Sequence, residues 1–172
     1  WSAPPIHIAA LNPYMCSVVG EVGDGLRPHP VCTPKFIKEV MMPAVEKGAA
    51  RSGRDPKNIS VVLRPMLATA PDEERLEARI RDIRARVAFY ASTPAYRPAF
   101  DIFGLDDLAR RLSVLAREQR WEEMPGYIDD EVMNTFAVVG TYDEIADKVV
   151  ERYSGVLDQV GFSTAVESKE DV

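Results

Sequence analysis

By type and spacing, the residues best suited to chemistry form one short run, Ala9-Ala10-Leu11-Asn12-Pro13. Ile6 to Ala10 is short, partly β-branched and bounded by Pro5 and Asn12-Pro13, which predicts a strand. Asn12 followed by Pro13 is an N-cap and N1 pair that opens a helix to about Val22. At the joint, Ala9 and Ala10 are small enough for a flat ring or a phosphate to come close to the backbone. Pro13 brings no donor, and the amides of the next turn would face an anion at the positive end of a helix. The same residues also suit a plain capped helix with small residues for packing, and the pattern alone leaves both readings open.

Other candidates are more isolated. His29 follows a second short strand, Leu26-Arg27-Pro28, so it belongs to the same rim and could bond a ligand or titrate, or stand idle in its loop. Thr93-Pro94-Ala95-Tyr96-Arg97-Pro98 is a proline-fixed loop whose Tyr96 and Arg97 could cover a pocket mouth. His7 lies mid-strand and is expected to be a packed, hydrogen-bonded core residue. Arg64, inside an apolar run, calls for an acidic partner from a neighbouring element. Trp121, Tyr90, Tyr96 and Tyr127 read first as core or interface anchors. Cys16 and Cys32 are too far apart for a CxxC motif and have no His/Cys cluster with metal spacing, so no metal site is expected. They read as reduced, semi-buried thiols, in keeping with a cytoplasmic protein. No Ser/His/Asp set, P-loop or GxGxxG fingerprint is present.

The elements that must position these residues alternate. Thr33-Pro34 repeats the cap-plus-proline device, and Phe36, Ile37, Val40, Met41, Ala44 and Val45 mark a helical stripe ending near Ser52-Gly53. Ile59 to Ala70 reads as one strand buried on both faces. Pro71-Asp72-Glu73-Glu74 is an acidic first turn of a helix to about Tyr90. A loop or broken helix (91–103) and helices over about 106–118 and 121–130 follow. Thr141-Tyr142-Asp143-Glu144 has the form of a capping box and opens a helix to about Tyr153. Val160 to Ser163 is a last strand. The order divides into a βαβαβ core (1–70), a helical excursion (71–140), a final αβ unit (141–164) and a tail (165–172), read as one partial-barrel domain. Parallel strands bind ligands at their carboxyl ends, here Ala9–Pro13, Pro28–Thr33, Arg64–Ala70 and Ser163-Thr164. Four parallel strands could form a small open sheet or half of a barrel, and pattern does not decide between them.

Composition narrows the function classes. A net charge of −6, with basic residues interleaved among acidic ones between Arg75 and Arg86, argues against a nucleic-acid surface. No apolar run approaches the roughly 20 residues of a membrane span, and no signal peptide is visible. The 172 residues fall short of the about 250 of a full βα barrel. A start at Trp1 without Met, already close to a strand, reads as a fragment, a processed product or an engineered piece.

Pro5-Ile6-His7-Ile8-Ala9-Ala10-Leu11-Asn12-Pro13-Tyr14-Met15, then Gly20-Glu21-Val22-Gly23-Asp24-Gly25, resembles the P-[IV]-x-[IL]-[AG]-A-x-[GN]-P-x-M and A-G-E-x-[AG]-D-G signature of luciferase-like monooxygenases. The resemblance leans toward the branch that uses coenzyme F420, a deazaflavin, in place of FMN. Phe89 to Arg97 is similar to a segment of that branch, and Val139 to Asp147 to its GTPDE helix start. The resemblance implies an α/β fold in which parallel βα units supply strands five to eight, the C-terminal half of a TIM-type (β/α)8 barrel, with a long helical insertion before the last strand. It implies that Ala9, Ala10, Leu11, Asn12 and Pro13 border the flavin-type ring or its phosphate. Asn12 stands where many members have Gly, a change that Asn tolerates better than most residues. The family's catalytic residues would lie in the first half, outside this chain, so none is assigned here. The activity implied is hydride transfer to or from a small organic substrate. An FMN-dependent monooxygenase and a non-catalytic half-barrel remain as alternatives. Two open sheet edges would require the other half or a second copy of the chain, a homo-oligomer.

Overall fold

The computed structural model describes residues 3–162. The strands are β1 (His7–Ala10), β2 (Gly25–Pro28), β3 (Ser60–Leu63), β4 (Met66–Ala70), β5 (Ala137–Thr141) and β6 (Gln159–Val160). β1, β2, β3 and β6 lie side by side in that order, all parallel. β4 and β5 form a separate parallel pair. The chain accordingly divides into two units, 3–64 with 153–161, and 65–152 with Phe162.

In the first unit, α1 (Pro13–Val22) starts where the sequence places it, because Asn12 Oδ1 accepts the Met15 N–H at 2.9 Å. Thr33 Oγ1 does the same for Phe36 N–H at 3.2 Å, opening α2 (Pro34–Phe36). The single helix expected from there to Ser52-Gly53 is interrupted. Ile37–Met41 is a π turn, and α3 runs Met42–Arg51. Pro43 explains the break: its ring crowds the carbonyl four residues back and it donates nothing, so the preceding turn widens and Met42 N–H reaches Ile37 O. α1 and α3 cross at Gly20 and Gly48, where backbone meets backbone, and Arg51 ties them through Glu21 at 2.8 Å and Ser17 Oγ at 3.0 Å. Val19, Leu26, Phe36, Met41, Val45 and Leu63 are fully buried and form the core of this unit.

The expectation of one strand from Ile59 to Ala70 fails at Arg64-Pro65. Pro65 has no amide for a ladder bond, so β3 stops at Leu63 and β4 begins at Met66 in the other sheet. β4 pairs residue for residue with β5, from Met66 opposite Ala137 to Ala70 opposite Thr141.

β5 is likewise absent from the expected order, so the span 71–140 is not helical throughout. The second unit holds α4 (Glu73–Ser92), α5 (Arg97–Asp101), α6 (Asp106–Arg117), α7 (Asp130–Phe136) and α8 (Tyr142–Tyr153, its last residue in the first unit). Asp72 caps α4 through Arg75 N–H at 2.9 Å, and Asp129 caps α7 through Val132 N–H at 2.8 Å. The helix expected over 121–130 is a tighter 3₁₀ segment, Trp121–Tyr127, with Pro125 inside it. Glu144 closes the expected capping box from its side, accepting the Thr141 N–H at 3.2 Å. Phe100 and Phe136, 4.3 Å between centroids, pack with Leu112, Met124 and Ile128 in this unit's core. Ser163-Thr164 and the tail 165–172 lie outside the described residues.

Candidate functional site

In a parallel sheet the carboxyl ends of the strands leave backbone groups and loops free to meet a ligand. In the first unit that rim starts at β1. Ala9 is exposed and Ala10 is 8% exposed, Leu11 is half-buried, and Asn12 and Pro13 are exposed. The first turn of α1 keeps less donor capacity than its sequence suggests. Pro13 has no N–H, Met15 N–H goes to Asn12 Oδ1 and Cys16 N–H goes to Asn12 O at 3.0 Å. The Tyr14 amide is the one left without a partner among the described residues.

β2 is the neighbour of β1, with Ala10 opposite Pro28, so His29 follows directly on the adjacent strand end. It is half-buried, and its Nδ1 accepts the Val31 N–H at 3.3 Å while its carbonyl accepts Cys32 N–H at 2.8 Å. Burial disfavours the imidazolium and lowers the pKa of His29, so the ring is neutral at neutral pH. With Nδ1 accepting, the neutral ring carries its proton on Nε2.

Arg64 directly follows β3 and is exposed, contrary to the expected buried ion pair, and no salt bridge among the described residues includes it. The interruption at Pro65 places it at the rim instead of inside a continuous strand. Its stem lies over Gly161, where an added β-carbon would meet Arg64 Cγ at 2.8 Å; Gly161 N–H is held by Leu63 O at 2.8 Å. The residue type alone pointed to an anion partner; its position at a strand end only became visible with the break in the run.

The remaining candidates fall elsewhere. His7 is half-buried, Nε2 3.4 Å from Ser60 Oγ, and its ring occupies the space beside Gly25. Cys16 and Cys32 are free and buried, and burial pushes their thiols up to about 11 and about 12. Tyr96 and Arg97 belong to the second unit: Tyr96 meets Tyr90 edge-on at 5.3 Å, and Arg97 Nε lies 3.7 Å from Asp101. Among the described residues no group of three or more His, Cys, Asp or Glu is placed to hold a metal ion, and no helix is long and apolar enough to cross a membrane.

What the first rim can do chemically follows from its parts. Ala9 is exposed at the strand end and Ala10 is buried beside it. One amide, at Tyr14, and one exposed guanidinium, at Arg64, are available to an anionic group. A neutral imidazole stands at the next strand end.

Known proteins bear on these parts. A protein of Mycobacterium tuberculosis is 41% identical over 160 residues, 93% of this chain and 47% of that protein. The 5,10-methylenetetrahydromethanopterin reductase of Methanolobus tindarius is 26% identical over 149 residues, 86% of this chain and 44% of that one. The chain thus spans about half the length of the curated relatives it matches. Among solved structures, the coenzyme F420 dependent tetrahydromethanopterin reductase from Methanopyrus kandleri superposes with a TM-score of 0.76 at 23% identity. It covers 97% of this chain and 47% of that one, and at this identity the likeness is one of fold, α/β with parallel sheets. The family model for luciferase-like monooxygenases matches residues 1–159, and the chain belongs to that family.

Proposed function

We propose that this chain is the C-terminal half-barrel of an oxidoreductase that uses coenzyme F420, with the coenzyme held at the rim of the first unit. The observation that carries the reading is the family membership together with relatives and a structural neighbour that are reductases, the neighbour being F420-dependent by its own description. Four parallel strands in sequential order, β1-β2-β3-β6, suit strands five to eight of a (β/α)8 barrel, with the second unit as the insertion before the last strand.

The rim fits such a coenzyme on its own chemistry. Ala9 and Ala10 leave the strand end open to a planar ring, and Leu11 offers it an apolar edge. Asn12 holds the turn that presents the Tyr14 amide, and Pro13 fixes its direction. Arg64 supplies a positive charge for an acidic or phosphate group. Bound there, the deazaflavin would supply hydride transfer to or from a small organic substrate. His29, neutral at neutral pH, is the substrate-side candidate at the same rim, while Tyr96 and Arg97 belong to the second unit and are not assigned to it. None of these residues is assigned as the general acid or base of the reaction.

The end strands β1 and β6 each have one unpaired edge within their sheet, which the first half of the barrel, or a second copy of this chain, would cover. Two buried reduced thiols suit the cytoplasm. The test is a fluorescence titration of the protein, with its first half supplied, against coenzyme F420 and against FMN. Saturable binding of F420 that weakens in Arg64→Gln is expected. Tight binding of FMN with none of F420 would replace this reading by the FMN-dependent monooxygenase, and binding of neither would leave a non-catalytic assembly module.

A further inference from the structure

Within the second unit, the C-terminal ends of α4 and α6, the Pro94–Arg97 stretch and the start of the 3₁₀ segment line a cavity of ≈ 620 Å³ that opens to solvent. That volume lies inside the range of about 300–1,000 Å³ typical of small-molecule sites. Its walls hold large apolar side chains that the fold leaves open to solvent: Phe89 is 48% exposed, Trp121 46% and Val114 42%. Phe89 and Trp121 are neighbours, ring centroids 6.2 Å apart at 39°, and together present a broad aromatic surface.

The charged residues lining this cavity are all arginines. Two of them are committed. Arg97 faces Asp101, and Arg110 is bound by Asp106 at 2.8 Å and by Asp107. Arg117 is different. Its Nε donates to Ser113 O at 3.3 Å, and its guanidinium meets no carboxylate among the described residues. An aromatic wall beside a cation without a counter-ion, in a cavity with no acidic lining residue, selects for one ligand chemistry. Arg117 is exposed, so an acidic group gains a charge-assisted contact there that a neutral apolar molecule lacks, while a small inorganic anion makes no use of the aromatic wall.

We propose that this cavity binds an organic anion with a flat apolar body, its ring against Phe89 and Trp121 and its acidic group at Arg117. All of these residues belong to the second unit. The site involves no residue of the β1–β2 rim, and the experiment contains no coenzyme, so its outcome does not depend on the function proposed above.

The experiment uses 1-anilinonaphthalene-8-sulfonate, a flat aromatic anion, and its neutral counterpart N-phenyl-1-naphthylamine. With Trp1→Phe in the background, Trp121 is the sole tryptophan. Expected is one-to-one, saturable quenching of Trp121 with energy transfer to the sulfonate. Arg117→Gln should weaken the sulfonate at least fivefold and leave the neutral compound unchanged. Arg117→Lys should recover most of the loss, and Arg81→Gln, an exposed charge on α4 outside the cavity, should have no effect. Four outcomes would overturn the proposal: sulfonate binding that leaves Trp121 emission unmoved, equal loss in Arg81→Gln and Arg117→Gln, no loss in Arg117→Gln, or sedimentation showing a dimer of this chain that covers Trp121 and excludes the dye.

Discussion

A β-carbon on Gly48 would lie 1.9 Å from the carbonyl oxygen of Ser17, so α3 and α1 approach more closely than any side chain permits. Gly20 faces the same crossing from the other helix, 2.1 Å from Val45 O on the same measure. Because the obstacle is backbone in both cases, relief requires moving a helix, not turning a side chain. Gly48→Ala is therefore expected to destabilise the chain by about 1–3 kcal/mol, the usual cost of overpacking. Lys47→Ala, exposed on the same helix, should stay within about 0.5 kcal/mol of the parent in the same urea titration.

Asn12 has a structural role that precedes any binding role. Asn12→Ala removes the acceptor for Met15 N–H and should cost about 1 kcal/mol of stability, whereas Asn12→Asp keeps an acceptor and should cost little. Thermal melts of the two variants read this directly. If Asn12→Asp also weakens F420 binding while its melt is unchanged, the turn meets an anion.

The two buried thiols set a limit at alkaline pH. Their pKa values in the fold, about 11 for Cys16 and about 12 for Cys32, exceed the ordinary 9.0, mainly through burial. Above that ordinary value the unfolded chain loses thiol protons that the folded chain retains. Stability should thus fall as pH rises from about 9 toward 11–12, and Cys32→Ala should flatten that slope. At pH 8 a disulfide reagent such as DTNB should label neither cysteine until urea unfolds the chain.

His29 acts in the opposite direction of pH. Burial lowers its pKa from the ordinary 6.5, so on acidification the unfolded chain takes up a proton before the folded one does. Its contribution is nil well above 6.5 and turns destabilising as pH falls below it. A stability–pH profile of His29→Gln should be flatter than the parent between neutral pH and about 5, and an identical profile would show that the ring titrates freely.

Local chemistry made the caps legible, and long-range pairing hid the second sheet. Asn12-Pro13 and Thr33-Pro34 each specify a helix start within four residues, and both side chains accept the expected amide, while Asp72, read only as part of an acidic first turn, proves to be the cap of α4. The run from Ile59 to Ala70 has the same apolar character on both sides of Pro65, so nothing in its composition reveals that two sheets divide it. β5 stayed hidden because α7 ends at Phe136 and the strand begins at Ala137 with neither Gly nor Pro between them. Of the candidate site residues, Ala9–Pro13 and His29 come together through the consecutive strands β1 and β2, an adjacency that a βαβ order implies. Tyr96 and Arg97 do not share that unit, and spacing had no means to show it. Phe89 and Trp121 meet across 32 positions, and only their exposure marks them.

The pairing of β3 with β6 spans the whole second unit: Val61 N–H reaches Asp158 Oδ2 at 2.7 Å across 97 positions. Bringing the ends of so long a chain together costs conformational entropy that grows with the logarithm of its length. If residues 65–152 collapse on their own first, most of that freedom is already spent when β6 arrives. The two-residue strand β6 would then be the last to settle, its amides the latest to gain protection from exchange during refolding. On that course the second unit, by collapsing first, would set the order in which the sheet holding β1 and β2 is completed.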